Sequence, residues 1–282
     1  MRQSFKDIIT KAHALGYGIP AINVSNYETV MALFSAAENK KSPIIVQVAH
    51  LQLEAQAMSW EEFMTLIRLA ESRYPDVTFA LHLDHAETLE LCENAIQHGF
   101  DSVMFDGSAR PFEENLALTK TLRRKYPEVS IEAEVGALGE EARDHHARQA
   151  HYLTSDPDEA IRMAREVDIQ GLALAIGNAH GFYQGEPKLD FDLLKHIHQT
   201  IPQTPLVLHG ATGLSEEDIR QAIAHGVCKI NFFTRCDYAF TTAFCDTINQ
   251  GKYMMFAQKE GQKAFQEEAE LIMTLCQSEG KL

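Results

Sequence analysis

A chain of 282 residues with 45% hydrophobic and 23% charged residues carries enough apolar material for one large core or two ordinary ones. The formal net charge of −15 argues against a broad basic face and so against nucleic acid as a partner, while leaving room for a small anionic ligand. No stretch approaches the roughly eighteen uninterrupted apolar residues of a membrane span. The five cysteines (Cys92, Cys228, Cys236, Cys245, Cys276) are odd in number and lack CxxC spacing, so neither a disulfide framework nor a cysteine zinc site is indicated. The start, MRQSFKDIITKAHALGYGIP, breaks its apolar run with a lysine and an aspartate and predicts an amphipathic helix in place of a signal peptide; the expected location is the cytoplasm.

Taken in chain order, eight short apolar runs predict strands at 18–23, 43–49, 77–83, 101–106, 129–135, 171–177, 204–210 and 226–232. Helical periodicity fills the intervals, in ETVMALFSAAENK, SWEEFMTLIRLAESR, TLELCENAIQHG, PFEENLALTKTLRRKY, DPDEAIRMAREV, FDLLKHIHQTI and SEEDIRQAIAHG. Two of these end in His-Gly, a natural helix stop. Strand alternating with helix demands parallel pairing through right-handed crossovers, and eight such units closing on themselves make a (β/α)8 TIM barrel. The doubly wound open sheet is the competitor, but no GxGxxG follows the first strand. The spacing stretches at about 136–157 and again in an amphipathic tail after 235, expected to pack on the barrel or on a partner subunit. No domain boundary is evident, so residues 1–282 are expected to form a single barrel domain with a C-terminal helical extension.

Catalytic groups in such a barrel come from the C-terminal ends of the strands. Those ends offer Asn23; His82, Asp84 and His85; Asp106; Glu132 and Glu134; Asn178 and His180; His209; and Asn231 and Thr234. A catalytic zinc site takes about three protein ligands, often imidazoles, and keeps a position open for water or substrate. His85, His180 and His209, each ending its own strand in HLDH, NAHG and LHG, fit that need, although any one of them alone would read as a structural histidine. Strand alternation puts His82 with Asp84 on one face and His85 on the other, so Asp84 and His85 can share a site only if the chain turns at residue 84. His82 is read as a supporting residue.

The histidines on helical stretches (His13, His98, His196, His198, His225) read as exposed or capping groups, and those of DHHARQAH (145, 146 and 151) as lacking rigid support for a metal. HGATG and NFFT follow the seventh and eighth strands, where barrels often bind phosphate through backbone N–H groups and a helix N-terminus. Gly181 adds a further backbone point.

HLDH, MFDGS with PFEEN, EAEVGALG, AIGNAHGFY, PLVLHGATGL and KINFFT, in this order and spacing from about residue 5 to 240, resemble the class II, zinc-dependent ketose-bisphosphate aldolases, and most of all their tagatose-bisphosphate branch. The resemblance implies one catalytic zinc on His85, His180 and His209, with a monovalent cation as an additional occupant. It implies Asp84 as the general acid/base, and Asp106 and Glu134 in the outer metal environment or at an alternative metal position. Gly181, Gly210, Ala211, Thr212, Asn231, Phe232, Phe233 and Thr234 would hold the phosphate of dihydroxyacetone phosphate, with Asn23 a further substrate contact. A homodimer or homotetramer acting on a sugar phosphate is implied as well.

Three departures stand out. The loop after the fifth strand reads GALGEEARD where LGGxED is usual, which makes Glu141, then Glu140, the candidate for protonating the enediolate carbon. QxS becomes QVA (Gln47, Val48, Ala49), followed by an unusual HLQLEAQ loop. The tail GKYMMFAQKEGQKAF lacks the family's DPR element and its aligned arginine, leaving Arg110, Lys252 or Lys259 to meet a distal phosphate, or a substrate without one. A Schiff-base aldolase built on Lys229 is the enzymatic rival, but it would leave the three histidines unexplained. A non-catalytic sugar-phosphate-binding accessory subunit would have no need of Asp84.

Overall fold

The computed structural model describes residues 1–136, 154–183 and 185–282. Eight parallel strands close a barrel in sequence order: β1 (Ile19–Asn23), β2 (Ile44–Ala49), β3 (Phe79–Ala86), β4 (Ser102–Phe105), β5 (Ser130–Val135), β6 (Gly171–Leu174), β7 (Leu206–Leu208) and β8 (Val227–Phe232), with β8 pairing back onto β1. All eight expected strands form. The sixth and seventh are shorter than their apolar runs because the chain leaves the ladder early. After Leu174, Ser155 takes over pairing, its N–H donating to Ala175 O at 2.7 Å while its hydroxyl accepts from Ala175 N at 2.8 Å.

Helices pack around the barrel, all but α3 as the periodicity predicts: α1 (Phe5–Leu15), α2 (Tyr27–Lys40), α3 (His50–Ala55), α4 (Trp60–Arg73), α5 (Leu89–Gln97), α6 (Phe112–Lys125), α7 (Pro157–Glu166), α8 (Phe191–Thr200), α9 (Glu216–Ala224), α10 (Thr234–Asn249) and α11 (Met254–Leu275). Their starts obey capping chemistry. Ser59 and Ser215 accept from the backbone N–H three residues on, and Glu62 and Asp218 reach back to the cap N–H, which satisfies donors that a helix end otherwise leaves orphaned.

HLQLEAQ, expected as a loop, folds instead as the short helix α3, where the side-chain Oε1 of Gln52 accepts from Ala49 N–H at 2.9 Å and satisfies the N-cap donor, although Ala49 has no side-chain cap of its own. The tail forms α10 and α11, and α11 lies against α10 and α2 with Ala257, Phe265, Ala269, Ile272 and Met273 buried. No helix among the described residues is long and apolar enough to cross a membrane.

Alternation along the strands sorts the two faces. Ile44, Val46, Val48, Ile131, Ala133, Val135, Ile230 and Phe232 point outward into the main apolar core beneath the helices. The inward positions stack in layers. At the N-terminal end Ala21, Ile45 and Ala80 pack with Phe5 and Ile9, so that α1 plugs the barrel. Above them lie His82, Ser102, Glu132 and Lys229, all buried and polar. Asn23, Gln47, Asp84, Glu134, His209 and Asn231 form the next layer, at the C-terminal mouth.

Candidate active site

His85 is the exception to this alternation. Between Leu83 and Ala86, β3 carries one more residue than β4, which pairs Val103 and Phe105 with them, and His85 takes φ +45°. The chain therefore does not turn out of the sheet at residue 84, as alternation alone required. It bulges, and the strand continues to Ala86. The extra residue lets two successive side chains, Asp84 and His85, face the mouth. A non-glycine residue at positive φ is strained, and strain of this kind persists where the surroundings hold it.

A carboxylate holds His85 in place. Its Nδ1–H donates to Asp106 Oδ2 at 2.8 Å, because an ionised carboxylate only accepts, and Nε2 is turned toward the mouth. His209 mirrors this arrangement: Nε2–H donates to Glu132 Oε1 at 2.9 Å, leaving Nδ1 bare. The two free nitrogens face one another 3.0 Å apart. Two imidazole lone pairs at that distance repel unless a cation or a proton lies between them. A tetrahedral zinc with Zn–N bonds near 2.0–2.1 Å would set such nitrogens about 3.3 Å apart.

His180 completes the group, its ring centroid 5.1 Å from that of His85 and 6.1 Å from that of His209, with Nδ1 buried and without a hydrogen-bond partner among the described residues. Ligand atoms of all three lie within 4.8 Å of one another, and a second set, His85, Asp106 and Glu134, meets the same limit. The residues therefore fit a divalent cation. Electrostatics agree. Burial and then the charge of His85 push His180 down to about 4 and hold His209 well below the ordinary histidine range, so both favour the neutral, ligating form. Burial would also depress His85, but Asp84, Asp106 and Glu134 outweigh it and raise its pKa well above the usual value. Without a metal, His85 is the group that carries the compensating proton. Glu134, with neither oxygen hydrogen-bonded among the described residues, is raised well above the carboxylate range by burial and by Asp106.

Asp84 sits in a cage of three amides. Asn23 Nδ2 donates to Oδ2 at 3.0 Å, Gln47 Nε2 to the same oxygen at 3.2 Å, and Asn231 Nδ2 to Oδ1 at 3.2 Å. Burial alone would raise its pKa, but His85, Lys229 and His209, with the Asn23 hydrogen bond, prevail and lower it. Asp84 is thus an ionised acceptor beside the proposed cation. Gln47, itself held by Asn23 Oδ1 at 2.7 Å, had no site role in the sequence reading; its inward parity with Asn23 and Asp84 was the available signal.

Anion-binding geometry surrounds the mouth. One cleft is lined by Asn23, Asp84, His85, His180, Gly181, Gly210, Thr212, Asn231, Phe233 and Thr234. Helix α10 starts at Thr234 with no side-chain cap, so its first N–H groups are open to an anion. Gly210 at φ +67° lies so close to Ala179 that an added Cβ would come within 2.2 Å of its carbonyl oxygen. The two loops are tied together: Tyr183 OH accepts from Ala179 N–H at 3.0 Å and donates to Gly210 O at 2.8 Å, while Asn178 donates to His209 O at 3.0 Å. Asn178 is thereby a loop tie.

Other expected positions fall outside the cleft. The side chains of Ala211 and Phe232 are buried in the outer apolar core, because each points away from the mouth; only their backbone groups remain for a ligand. Arg110 is bound to Glu114 at 2.6 Å, and Lys252 and Lys259 are exposed; none of the three lines the cleft. Lys229 is buried against Glu132, 3.0 and 2.8 Å from its two oxygens, and is not a cleft residue either. Glu140, Glu141 and the histidines of DHHARQAH lie outside the described residues.

A closed (β/α)8 barrel whose mouth combines three convergent imidazoles, a caged carboxylate and an open helix N-terminus defines the class of metal-assisted enzymes acting on phosphorylated small molecules. Comparison with known proteins narrows this. The chain belongs to the family described as fructose-bisphosphate aldolase class-II, which it matches over residues 3–281. Members of the family are metal-dependent aldolases, and the chain is accordingly a carbon–carbon lyase.

It is 35% identical over 290 aligned residues to the D-tagatose-1,6-bisphosphate aldolase subunit GatY of Klebsiella oxytoca, covering 99% of each chain. It is 37% identical over 255 residues to a fructose-bisphosphate aldolase of Staphylococcus aureus, covering 88% of this chain and 87% of the other. Among solved structures, the YdjI aldolase from Escherichia coli K12 matches with a TM-score of 0.87 and 33% identity, over 100% of this chain and 99% of that one.

Proposed function

We propose that this enzyme uses zinc on His85, His180 and His209 to cleave, reversibly, a ketose phosphate of the tagatose- or fructose-1,6-bisphosphate type into dihydroxyacetone phosphate and an aldehyde. The observation that carries the reading is the pair of imidazole nitrogens, His85 Nε2 and His209 Nδ1, that face each other at 3.0 Å beside the caged carboxylate of Asp84. A divalent cation held there supplies the Lewis acidity that stabilises the negative charge developing on C3 as the C3–C4 bond breaks.

The chain's own groups do the rest. Asp84 Oδ1 or Oδ2 takes the C4 hydroxyl proton as the C4 carbonyl forms, and returns it in condensation. The Asn23, Gln47 and Asn231 amides keep its carboxylate aimed and ionised between turnovers. Backbone N–H groups at Gly181, at Gly210–Thr212 and at the start of α10 receive the substrate's 1-phosphate, and Phe233 walls the cleft. Glu141 protonates the enediolate carbon. Asp106 orients His85, and with Glu134 it offers an alternative cation position. A monovalent cation as an additional occupant, and assembly as a homodimer or homotetramer, belong to the same reading.

A second reading concerns the far end of the substrate. No lysine or arginine is among the described residues lining the cleft, which favours a ketose 1-phosphate whose distal end is uncharged. Zinc-loaded enzyme assayed in parallel on ketose 1-phosphates and 1,6-bisphosphates tests both. Release of dihydroxyacetone phosphate is expected from at least one series; no release from either would refute the aldolase reading, and a clear preference for bisphosphates would refute the second.

A further inference from the structure

The layer of side chains beneath the proposed cation site holds two groups that the mechanism does not use. Glu132 and Lys229 are fully buried at inward positions of β5 and β8, and neither lines the substrate cleft. Glu132 Oε1 lies 2.9 Å from His209 Nε2 and 3.0 Å from Lys229 Nζ, while Oε2 lies 2.8 Å from Lys229 Nζ. His82 Nε2, at 3.7 Å from Oε2, is beyond hydrogen-bond range.

We infer that the buried Lys229–Glu132 pair is a positioning device for His209: it fixes the imidazole in the Nε2–H tautomer and so presents Nδ1, unprotonated, to the cation. The inference rests on the metal reading of the three histidines.

The argument is one of donors and acceptors. A neutral imidazole carries one N–H, and the partner of one nitrogen decides which atom the other offers. With Lys229 hydrogen-bonded to Oε1 and in ion-pair contact with Oε2, Glu132 is a carboxylate with only acceptor sites to present to His209, and Nε2 must donate. The other neighbour of the ring does not compete. Asn231 Nδ2 stands 3.2 and 3.3 Å from the two ring nitrogens, near-equal distances that put the amide against the ring and aim it at neither.

His85 reaches the same outcome by a different route, through Asp106 at the partly open rim. The buried pair serves the one ligand of the three that is wholly enclosed, since His209 is 0% exposed. It also accounts for a lysine inside a barrel mouth that does not touch substrate. Carboxylate partners of ligating histidines orient the ring, and their loss typically weakens metal affinity by roughly 10- to 100-fold.

Three measurements test this. Long-range nitrogen-15 NMR of the metal-free wild type should show His209 as the Nε2–H tautomer; an Nδ1–H tautomer overturns the inference whatever the variants do. Zinc affinity, by competition with a chromophoric chelator, and the thermal midpoint are then compared for Glu132→Gln, Lys229→Met and the double variant Glu132→Leu/Lys229→Met.

The double variant removes both charges and leaves no unpaired buried ion, so its midpoint should recover relative to Lys229→Met. Its zinc affinity should stay roughly 10- to 100-fold below wild type, whereas Glu132→Gln, which keeps a carbonyl acceptor, should lose less. Zinc binding within about twofold of wild type in the double variant overturns the positioning role. His85→Ala, measured alongside, separates the two readings. If it too binds zinc as wild type does, the site assignment fails; if it alone loses zinc, only the role of Glu132 and Lys229 fails.

Discussion

His85 Nε2 and His209 Nδ1 face each other across 3.0 Å, with the second nitrogen of each ring donating to a carboxylate, Asp106 for one and Glu132 for the other. A proton on His85 bridges this gap in the metal-free protein and a cation would replace it, so metal binding and folding are coupled. Chelator-treated protein should melt below the zinc-loaded form, with a difference of about 2.7 kcal/mol when free zinc is a hundred times its Kd. Differential scanning calorimetry with and without EDTA measures it, and superimposable transitions would contradict the site.

Proton competition gives this binding a direction in pH. His85 has a raised pKa in the metal-free protein, so its charged form stabilises that protein fully below the ordinary histidine value of about 6.5, and the contribution is lost as pH rises through the raised value. Zinc must displace that proton. Affinity should therefore climb about tenfold per pH unit until His85 is deprotonated, and then level off. Chelator-competition titrations across pH 6 to 9 would show the slope; a flat profile would mean that His85 is neutral before zinc arrives.

Asp84→Ala should leave zinc bound and yet lower kcat for cleavage by about 10²- to 10⁴-fold, the usual weight of a positioned acid/base. Because Asp84 is assigned to the C4 hydroxyl proton and Glu141 to the C3 carbon, detritiation of dihydroxyacetone phosphate should survive in Asp84→Ala and fail in Glu141→Ala. Loss of exchange in the Asp84 variant would mean that one carboxylate serves both atoms.

Gly210→Ala tests the clamp between the two loops proposed to receive phosphate. The new methyl would have to stand 2.2 Å from Ala179 O, at a φ of +67° that an L-residue resists. A loss of about 2 kcal/mol or more in urea unfolding is expected, together with a raised KM for dihydroxyacetone phosphate in condensation. An unchanged KM would place phosphate recognition on the α10 terminus alone.

The eight strands and the three histidines that converge at the mouth were readable in the chain because both are local: apolar runs of strand length punctuated by turns, and histidines just past their ends. Alternation also put His82 on the face of Asp84, where both lie buried inside the barrel. It failed at His85, since a bulge depends on register with β4, and no pattern within β3 announces that Leu83 and Ala86 will pair with Val103 and Phe105. The short helix α3 was missed for a similar reason, as its cap is a glutamine reaching backward from Gln52 to Ala49.

By itself, then, the sequence determined the alternating architecture, the strand ends that carry polar groups, and the motifs that mark the aldolase family; periodicity and spacing are written along one chain. Which of those groups meet was decided only by closure of the barrel. Closure brings Glu132 of β5 and Lys229 of β8 together behind His209, and Asn23, Gln47 and Asn231 around Asp84. It also sends Phe232 and Ala211 outward. Hydrogen-bond partners, tautomers and shifted pKa values belong to contacts across tens to hundreds of residues, and such contacts exist only once the sheet has curled back on itself.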